Sequence, residues 1–181
     1  FGRGKVVFDG VLDLRLDAAE AVAAKIRNNG GNAHAYACNV LDRDSLTTAK
    51  KAIDSELGPC NILINGAGGN NPKGTTTKEY LFPEDLDAET TKDVITFFDL
   101  DPKGIEFVFN LNFLGTLLPT QVFARDMART KDPLILNISS MNAFRPLTKI
   151  PAYSGAKAAV SNLTAWLAVH FAKVGIRCNA I

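Results

Sequence analysis

The chain has 181 residues, 46% of them hydrophobic and 22% charged, a length and composition that suit one globular core and exclude disordered and fibrous classes. With 20 Lys+Arg against 19 Asp+Glu, the net charge of +1 supplies no field to gather nucleic acid, and no basic cluster interleaves with aromatics. No uninterrupted apolar run approaches the roughly 18 residues of a membrane span, and Phe1-Gly2-Arg3-Gly4 does not open a signal peptide.

Short β-rich runs then alternate with amphipathic helical runs. Val11–Leu14 is a candidate strand, and Asp17 is placed to N-cap a helix through Ile26 that stops at Gly30-Gly31. His34–Val40 is a second strand, followed by a helix from about Arg43 to Leu57 that ends at Gly58-Pro59. Asn61–Asn65 and Leu134–Ser139 lack alternation and read as strands buried on both faces. Ala152–Lys173 is a long helix stopped by Gly175, and Ile176–Ile181 begins another strand. The order predicts an α/β, doubly wound, mostly parallel sheet in three layers, with residues 1–181 as a single domain.

Two stretches fit poorly. Gly69–Glu106 is long and polar, in the manner of a lid or binding loop. At the start, Lys5–Phe8 and Val11–Leu14 both look like strands with only Asp9-Gly10 between them. Either Asp9-Gly10 turns a tight hairpin, or Lys5–Phe8 is a first strand whose following loop and helix are not in the chain, since parallel neighbours need a crossover of a dozen or more residues. The second reading is preferred.

Cys38, Cys60 and Cys178 are odd in number and widely spaced, as reduced thiols of a cytoplasmic protein would be. His34 and His170 lie far apart in a strand and a helix and read as packing residues; no metal is called for.

The strongest chemical signal is Ser140, then Tyr153 thirteen residues on, then Lys157 four residues later. Tyr153 and Lys157 share one face of a helix, where an ammonium beside a phenol lowers a pKa of about 10 and prepares proton exchange with a hydroxyl or carbonyl. Ser140, ending a strand, is placed to hold the same oxygen.

These residues resemble the catalytic segments of the short-chain dehydrogenase/reductase family. Asn65-Gly66-Ala67-Gly68 is similar to that family's N-N-A-G element, with Gly66 in place of the second Asn, and Asn112-Phe113-Leu114-Gly115 to its N-x-x-G signature. The resemblance runs from Leu12 to Ile181 and implies a Rossmann-type fold with hydride transfer between a nicotinamide dinucleotide and an alcohol/carbonyl pair. It implies Tyr153 as general acid/base and Ser140 as the group positioning the reacting oxygen. Lys157 would tune Tyr153 and hold the nicotinamide ribose, and Asn112 would support a water relay. Around the cofactor it implies Asp13, the Asn39-Val40 pair 26 residues further on, Asn65, Gly66, Ala67, Gly68, Tyr153 and Lys157. A carboxylate at Asp13 would hold the adenosine ribose and favour NAD, while Arg15 leaves NADP open. Against that pattern the first βα unit with its glycine-rich phosphate loop, and the C-terminal part, are missing from the chain.

Within the family, the 65–76 segment, Phe97–Leu100, Asn110–Thr116 and Ser140–Phe144 resemble the D-mannonate oxidoreductase (fructuronate reductase) branch. A sugar acid needs a cation and several hydrogen-bonding groups, for which Asn70, Asn71, Lys73, Asn142 and Arg145 are candidates. Other polyols or a keto-gluconate, and a dinucleotide-binding protein without turnover, are the alternatives. A homodimer or homotetramer is expected through the Asn112 helix (Phe109, Phe113, Leu117, Leu118) and the Tyr153 helix (Val160, Leu163, Trp166, Leu167, Phe171), with a small-molecule substrate and no membrane or nucleic-acid partner.

Overall fold

The computed structural model describes residues 8–87 and 93–181. Its strands are β1 (Phe8–Asp13), β2 (Asn32–Ala37), β3 (Ile62–Asn65), β4 (Leu134–Asn137) and β5 (Arg177–Ala180). The helices are α1 (Leu16–Asn28), α2 (Arg43–Glu56), α3 (Pro102–Phe109), α4 (Gly115–Met127) and α5 (Pro151–His170). All pairings are parallel, in two sheets of order β1-β2 and β3-β4-β5.

The two sheets share one core. Leu12, Tyr36 and Cys38 from the first meet Leu63, Ile135 and Cys178 from the second, under Leu46 and Ile53 of α2, Phe123 and Met127 of α4, and Leu167 of α5. The buried Ala19 and Ala23 of α1 stand outside this cluster, as expected where a right-handed β1-α1-β2 crossover covers the opposite face. Helices on both sides of parallel strands make the fold Rossmann-like.

Three expectations change. Phe8–Asp13 is one continuous strand: Asp9 and Gly10 pair with Ala33 and His34, so there is neither a hairpin at Asp9-Gly10 nor a separate first strand reaching Phe8. Lys5–Val7 lie outside the described residues. Gly10 belongs in a strand because its φ is not positive and a Cβ there would only touch Ile53 and Tyr36 at 3.5–3.6 Å.

Next, α1 is capped by Arg15 rather than Asp17. Asp13 Oδ1 accepts the Arg15 N–H at 2.9 Å, and the helix starts two residues earlier, which leaves Asp17 in its first turn.

β3 is not buried on both faces. Ile62 and Ile64 are 51% and 60% exposed, because no described helix covers that side of β3 and no described strand lies between β1 and β3. β4 is half-buried at Leu134 and Leu136 for the same reason.

Of the nine helix residues expected at a subunit contact, Phe113, Leu117, Leu118, Leu163 and Phe171 are partly buried. Val160 and Leu167 are buried, while Phe109 and Trp166 are the exposed members of that set. Trp166 stacks on His170.

The polar segment after β3 is a chain of short 3-10 turns tied down at both ends. Asn71 caps the turn Pro72–Gly74, Thr76 N–H donates to the Lys149 carbonyl at 2.9 Å, and Asp101 N–H donates to the Lys73 carbonyl at 3.1 Å. Within it, the buried Asp85 takes the Lys78 ammonium and the Phe82 N–H, contacts that hold its carboxyl below the usual range. Gly104 lets α3 press onto this segment: a Cβ there would stand 2.8 Å from the Lys73 carbonyl carbon.

A π-turn at Asn110–Leu114 joins α3 to α4. The combined helix, Pro102–Met127, is by length and composition apolar enough to cross a membrane. Here it serves as a core helix, with Val108, Phe123 and Met127 in the interior beside buried Asn112, Thr116 and Thr120.

Candidate active site

Tyr153 sits in the first turn of α5, half-buried against Val108, Ala152 and Ala156. One turn on, Lys157 is 4% exposed, with Nζ 5.6 Å from the Tyr153 ring centroid. That ammonium donates to the Ile138 carbonyl at 2.7 Å, two residues before Ser140, and burial pushes its pKa below the ordinary lysine value. The end of β4 is fastened to the same helix. Ser139 Oγ lies 2.6 Å from Ser161 Oγ and also reaches the Lys157 carbonyl.

Ser140 leaves the strand in extended conformation, and its Oγ accepts the Asn142 N–H at 3.2 Å to cap the turn Met141–Ala143. With that acceptor position used, the hydroxyl proton has no partner among the described residues and is free to be donated outward.

Asn112, at the π-turn, is fully buried. Its Nδ2 donates to the Gly69 and Val108 carbonyls, both at 2.7 Å, and its Oδ1 accepts the Gly69 N–H at 3.2 Å. The side chain therefore clamps Gly69 and spends both amide protons, one on Gly69 and one on Val108, while the Asn112 carbonyl takes the Thr116 hydroxyl at 2.8 Å. Gly68 closes the group: a Cβ there would lie 2.7 Å from Asn112 Oδ1 and 3.2 Å from Lys157 Nζ. Gly68→Ala should thus displace both side chains and cost about 10- to 100-fold in turnover, with the far-ultraviolet circular dichroism unchanged. Turnover equal to the parent would show that the clamp gives way freely.

The positions predicted to meet a dinucleotide divide. Asp13 is exposed at the carboxyl end of β1 with one carboxylate oxygen engaged by Arg15 N–H. Asn39 is exposed, but its Oδ1 accepts the Leu41 N–H, and Val40 packs towards Gly115. At Gly66 a Cβ would meet nothing within 4 Å, and Ala67 lies between it and Gly68. Asn65 is different. It is 5% exposed, and its Nδ2 donates to Thr120 Oγ1 and Asn137 Oδ1, so its side chain holds the sheet and has none to offer a ligand. Of these positions expected to meet a dinucleotide, Asp13 is exposed and Gly68 lies against Asn112 and Lys157. Among the described residues no glycine-rich loop feeding a helix N-terminus is present for its pyrophosphate.

Most of the polar residues proposed for substrate are spent on local structure. Asn70 Nδ2 donates to Thr75 Oγ1, Asn71 caps its turn, and Lys73 pairs with Asp101 at 3.4 Å. Asn142 is buried with Oδ1 unpartnered, as is the Ser154 hydroxyl. Arg145 is exposed and has no partner among the described residues.

The family model described as short chain dehydrogenase matches residues 5–181. The chain belongs to that family. An uncharacterized oxidoreductase of Haemophilus influenzae is 62% identical over 171 residues, 94% of this chain and 58% of its own length. The 7alpha-hydroxysteroid dehydrogenase of Escherichia coli is 28% identical over the same shares. A solved structure from Haemophilus influenza, provisionally described as a D-mannonate oxidoreductase with bound NAD, superposes with a TM-score of 0.89 at 59% identity, covering 94% of this chain and 59% of that one. The chain thus spans a little under three-fifths of the length of the relatives it matches.

For this family member, sequence reasoning missed the polar ladder beneath the site. Thr116 donates to the Asn112 carbonyl, Thr120 to the Thr116 carbonyl, Asn65 to Thr120 and Asn137, Asn137 to Thr164, and Thr164 to the Val160 carbonyl. The signal was there to read: threonines four apart on one helix face, pointing at asparagines that end two adjacent strands.

Proposed function

We propose that the chain carries the catalytic half of an NAD-linked oxidoreductase acting on a sugar-acid alcohol/ketone pair, with D-mannonate and D-fructuronate as the favoured substrates. The observation that supports it best is the position of Lys157, which stands beside Tyr153, bonds the Ile138 carbonyl two residues before Ser140 and, with Asn112, closes on Gly68. NAD would supply or accept the hydride. Asp13 would hold its adenosine ribose, and Lys157, beside Gly68, its nicotinamide ribose; Arg15 next to Asp13 keeps NADP open.

In the reductive direction Ser140 donates its unshared hydroxyl proton in a hydrogen bond to the substrate carbonyl oxygen. Tyr153 transfers its phenolic proton to that oxygen as the carbon becomes a secondary alcohol, and Lys157 supplies the positive charge beside the phenolate left behind. Asn112 acts by fixing the Gly68-Gly69 backbone. A water relay to Lys157 would use the second lone pair of an Asn112 oxygen, because both of its amide protons are spent.

The reading is tested by NADH oxidation with D-fructuronate. Activity should fall about 10²- to 10⁴-fold in Tyr153→Phe, which removes the transferable proton and little else; a Phe variant as active as the parent refutes the mechanism. The resemblance of the 65–76 and 140–144 segments to the D-mannonate branch, together with the 59%-identical structure, supports the substrate. Three free thiols suit a reducing cytoplasm. Exposed Phe107, Phe109, Trp166 and Val169 favour pairing of α3 and α5 in a dimer or tetramer.

A further inference from the structure

Beyond β4 the chain runs through Ile138, Ser139 and Ser140, and the first two hold the same lysine. Lys157 Nζ donates to the Ile138 carbonyl at 2.7 Å, while Ser139 Oγ donates to the Lys157 carbonyl at 3.4 Å. Lys157 is therefore gripped at its side-chain tip and at its backbone, and its four-carbon stem spans the interval between the two ties. A shift of α5 along the end of β4 would move the ammonium relative to Tyr153, whose ring centroid lies 5.6 Å away, and relative to Ser140.

The bond to the Lys157 carbonyl is long, and what holds Ser139 against the helix is the 2.6 Å contact with Ser161 Oγ, one turn beyond Lys157. Ser139 is buried and its proton goes to the Lys157 carbonyl, so the proton between the two hydroxyls is Ser161's: Ser161 donates to Ser139, and Ser139 to the helix backbone. On the strand side the position is firmly held. Ile138 N–H donates to the Asn65 carbonyl at 3.1 Å, and Ser139 N–H to the Ile181 carbonyl at 2.7 Å. The tie from Asn137 to Thr164 meets α5 two turns further along.

We propose that Ser139 and Ser161 are positioning residues: their hydroxyl pair fixes the turn of α5 that carries Lys157 against the end of β4, and so sets Lys157 and Ser140 at the spacing that proton transfer at Tyr153 requires. This rests on the oxidoreductase reading for its effect on rate, but not for its first test. The full chain is labelled with ¹³C at the lysine ε-carbons and titrated by NMR, the Lys157 signal being the one lost in Lys157→Met. Ser161→Thr and Ser161→Val bring nearly the same volume and the same branching at Cβ, and differ in the hydroxyl. Ser161 borders an open cavity of about 420 Å³, so either side chain has room. In the parent, burial holds the Lys157 titration below the ordinary lysine value. Ser161→Thr should titrate like the parent, whereas Ser161→Val should move the midpoint up by about half a pH unit or more as the ammonium gains water. Ser139→Ala removes the pair from the strand side and should move it the same way.

In the NADH assay, kcat for D-fructuronate should fall about 10-fold or more in Ser161→Val and stay near the parent in Ser161→Thr, with KM for D-fructuronate changed less than kcat. The pH at which D-mannonate oxidation reaches half its plateau should rise in Ser161→Val, because an ammonium held less firmly beside the phenol favours its ionised form less. A Lys157 midpoint common to the parent, Ser161→Val and Ser139→Ala overturns the assignment, as does a Ser161→Thr that behaves like Ser161→Val. A kcat loss with an unmoved pH profile overturns it too, since simple loosening of the fold lowers the rate at every pH alike. Turnover of neither substrate by the parent removes the oxidoreductase reading, and the titration still decides the hydroxyl pair.

Discussion

Replacing Lys157 with methionine is expected to reduce turnover by about a thousandfold or more and to change the pH dependence of stability in a direction fixed by its burial. The ammonium is nearly inaccessible, and desolvation lowers its pKa in the folded protein. A lysine in the unfolded chain titrates near 10.4. Between the lowered folded value and about 10.4 the unfolded chain therefore binds the extra proton, so this group makes the folded state more favourable as pH rises. Below the folded value its destabilising contribution is fully present. The variant lacks it, although it also deprives the Ile138 carbonyl of its donor.

The net difference in Tm at neutral pH is accordingly small. Its pH slope is the diagnostic: Tm of the parent minus Tm of the variant should rise as pH increases through that window. Taking the difference cancels the groups common to both, such as Tyr36, pushed up to about 12 by burial and its bond to Glu56, and Cys60, pushed up to about 11 by burial. A flat difference would mean that Lys157 is not held as a buried charge.

The helices and the parallel strands were legible because each rests on local chemistry. Asp42 caps α2 through Asp44 and Ser45 N–H groups, and Gly30, Gly58 and Gly175 take positive φ after helices, where side chains with a Cβ are disfavoured. Two features were misread because they depend on partners distant in the chain. The run Ile62–Asn65 looks buried on both sides by composition alone, yet the burial of its outer face needs a covering helix that the described residues do not contain. Asp9-Gly10 looks by composition like a break between two strands, yet the register against β2 keeps Phe8–Asp13 continuous.

At the site, the spacing of Ser140, Tyr153 and Lys157 was enough to place all three at the junction of β4 and α5, because a helix face and a strand end are fixed by period and position. The substrate candidates were not legible in the same way. Asn70, Asn71 and Lys73 were chosen for polarity, and polarity in a long loop is first used to satisfy the loop's own backbone and charges.

Asn137→Ala should be the most destabilising single change at this site that touches no substrate. Asn137 is fully buried, accepts from Asn65 Nδ2 and donates to Thr164 Oγ1, both at 2.9 Å. Truncation removes two hydrogen bonds and leaves a donor of Asn65 short of a partner in the middle of the sheet, together about 2–4 kcal/mol. For a chain of this size that lowers Tm by roughly 5–15 °C.

The loss should not stop at stability. Asn65 also donates to Thr120, and Thr120 to the helix that holds Asn112, while Thr164 lies two turns along α5 from Lys157. A double-mutant cycle of Asn137→Ala with Thr164→Val, whose partner bond is the direct one, should return a coupling of about 1 kcal/mol or more. A cycle of Asn137→Ala with an exposed change such as Lys173→Gln should return none. Additive losses in both cycles would mean that the ladder consists of independent bonds and transmits nothing between β3, β4 and the two helices that carry Asn112 and Lys157.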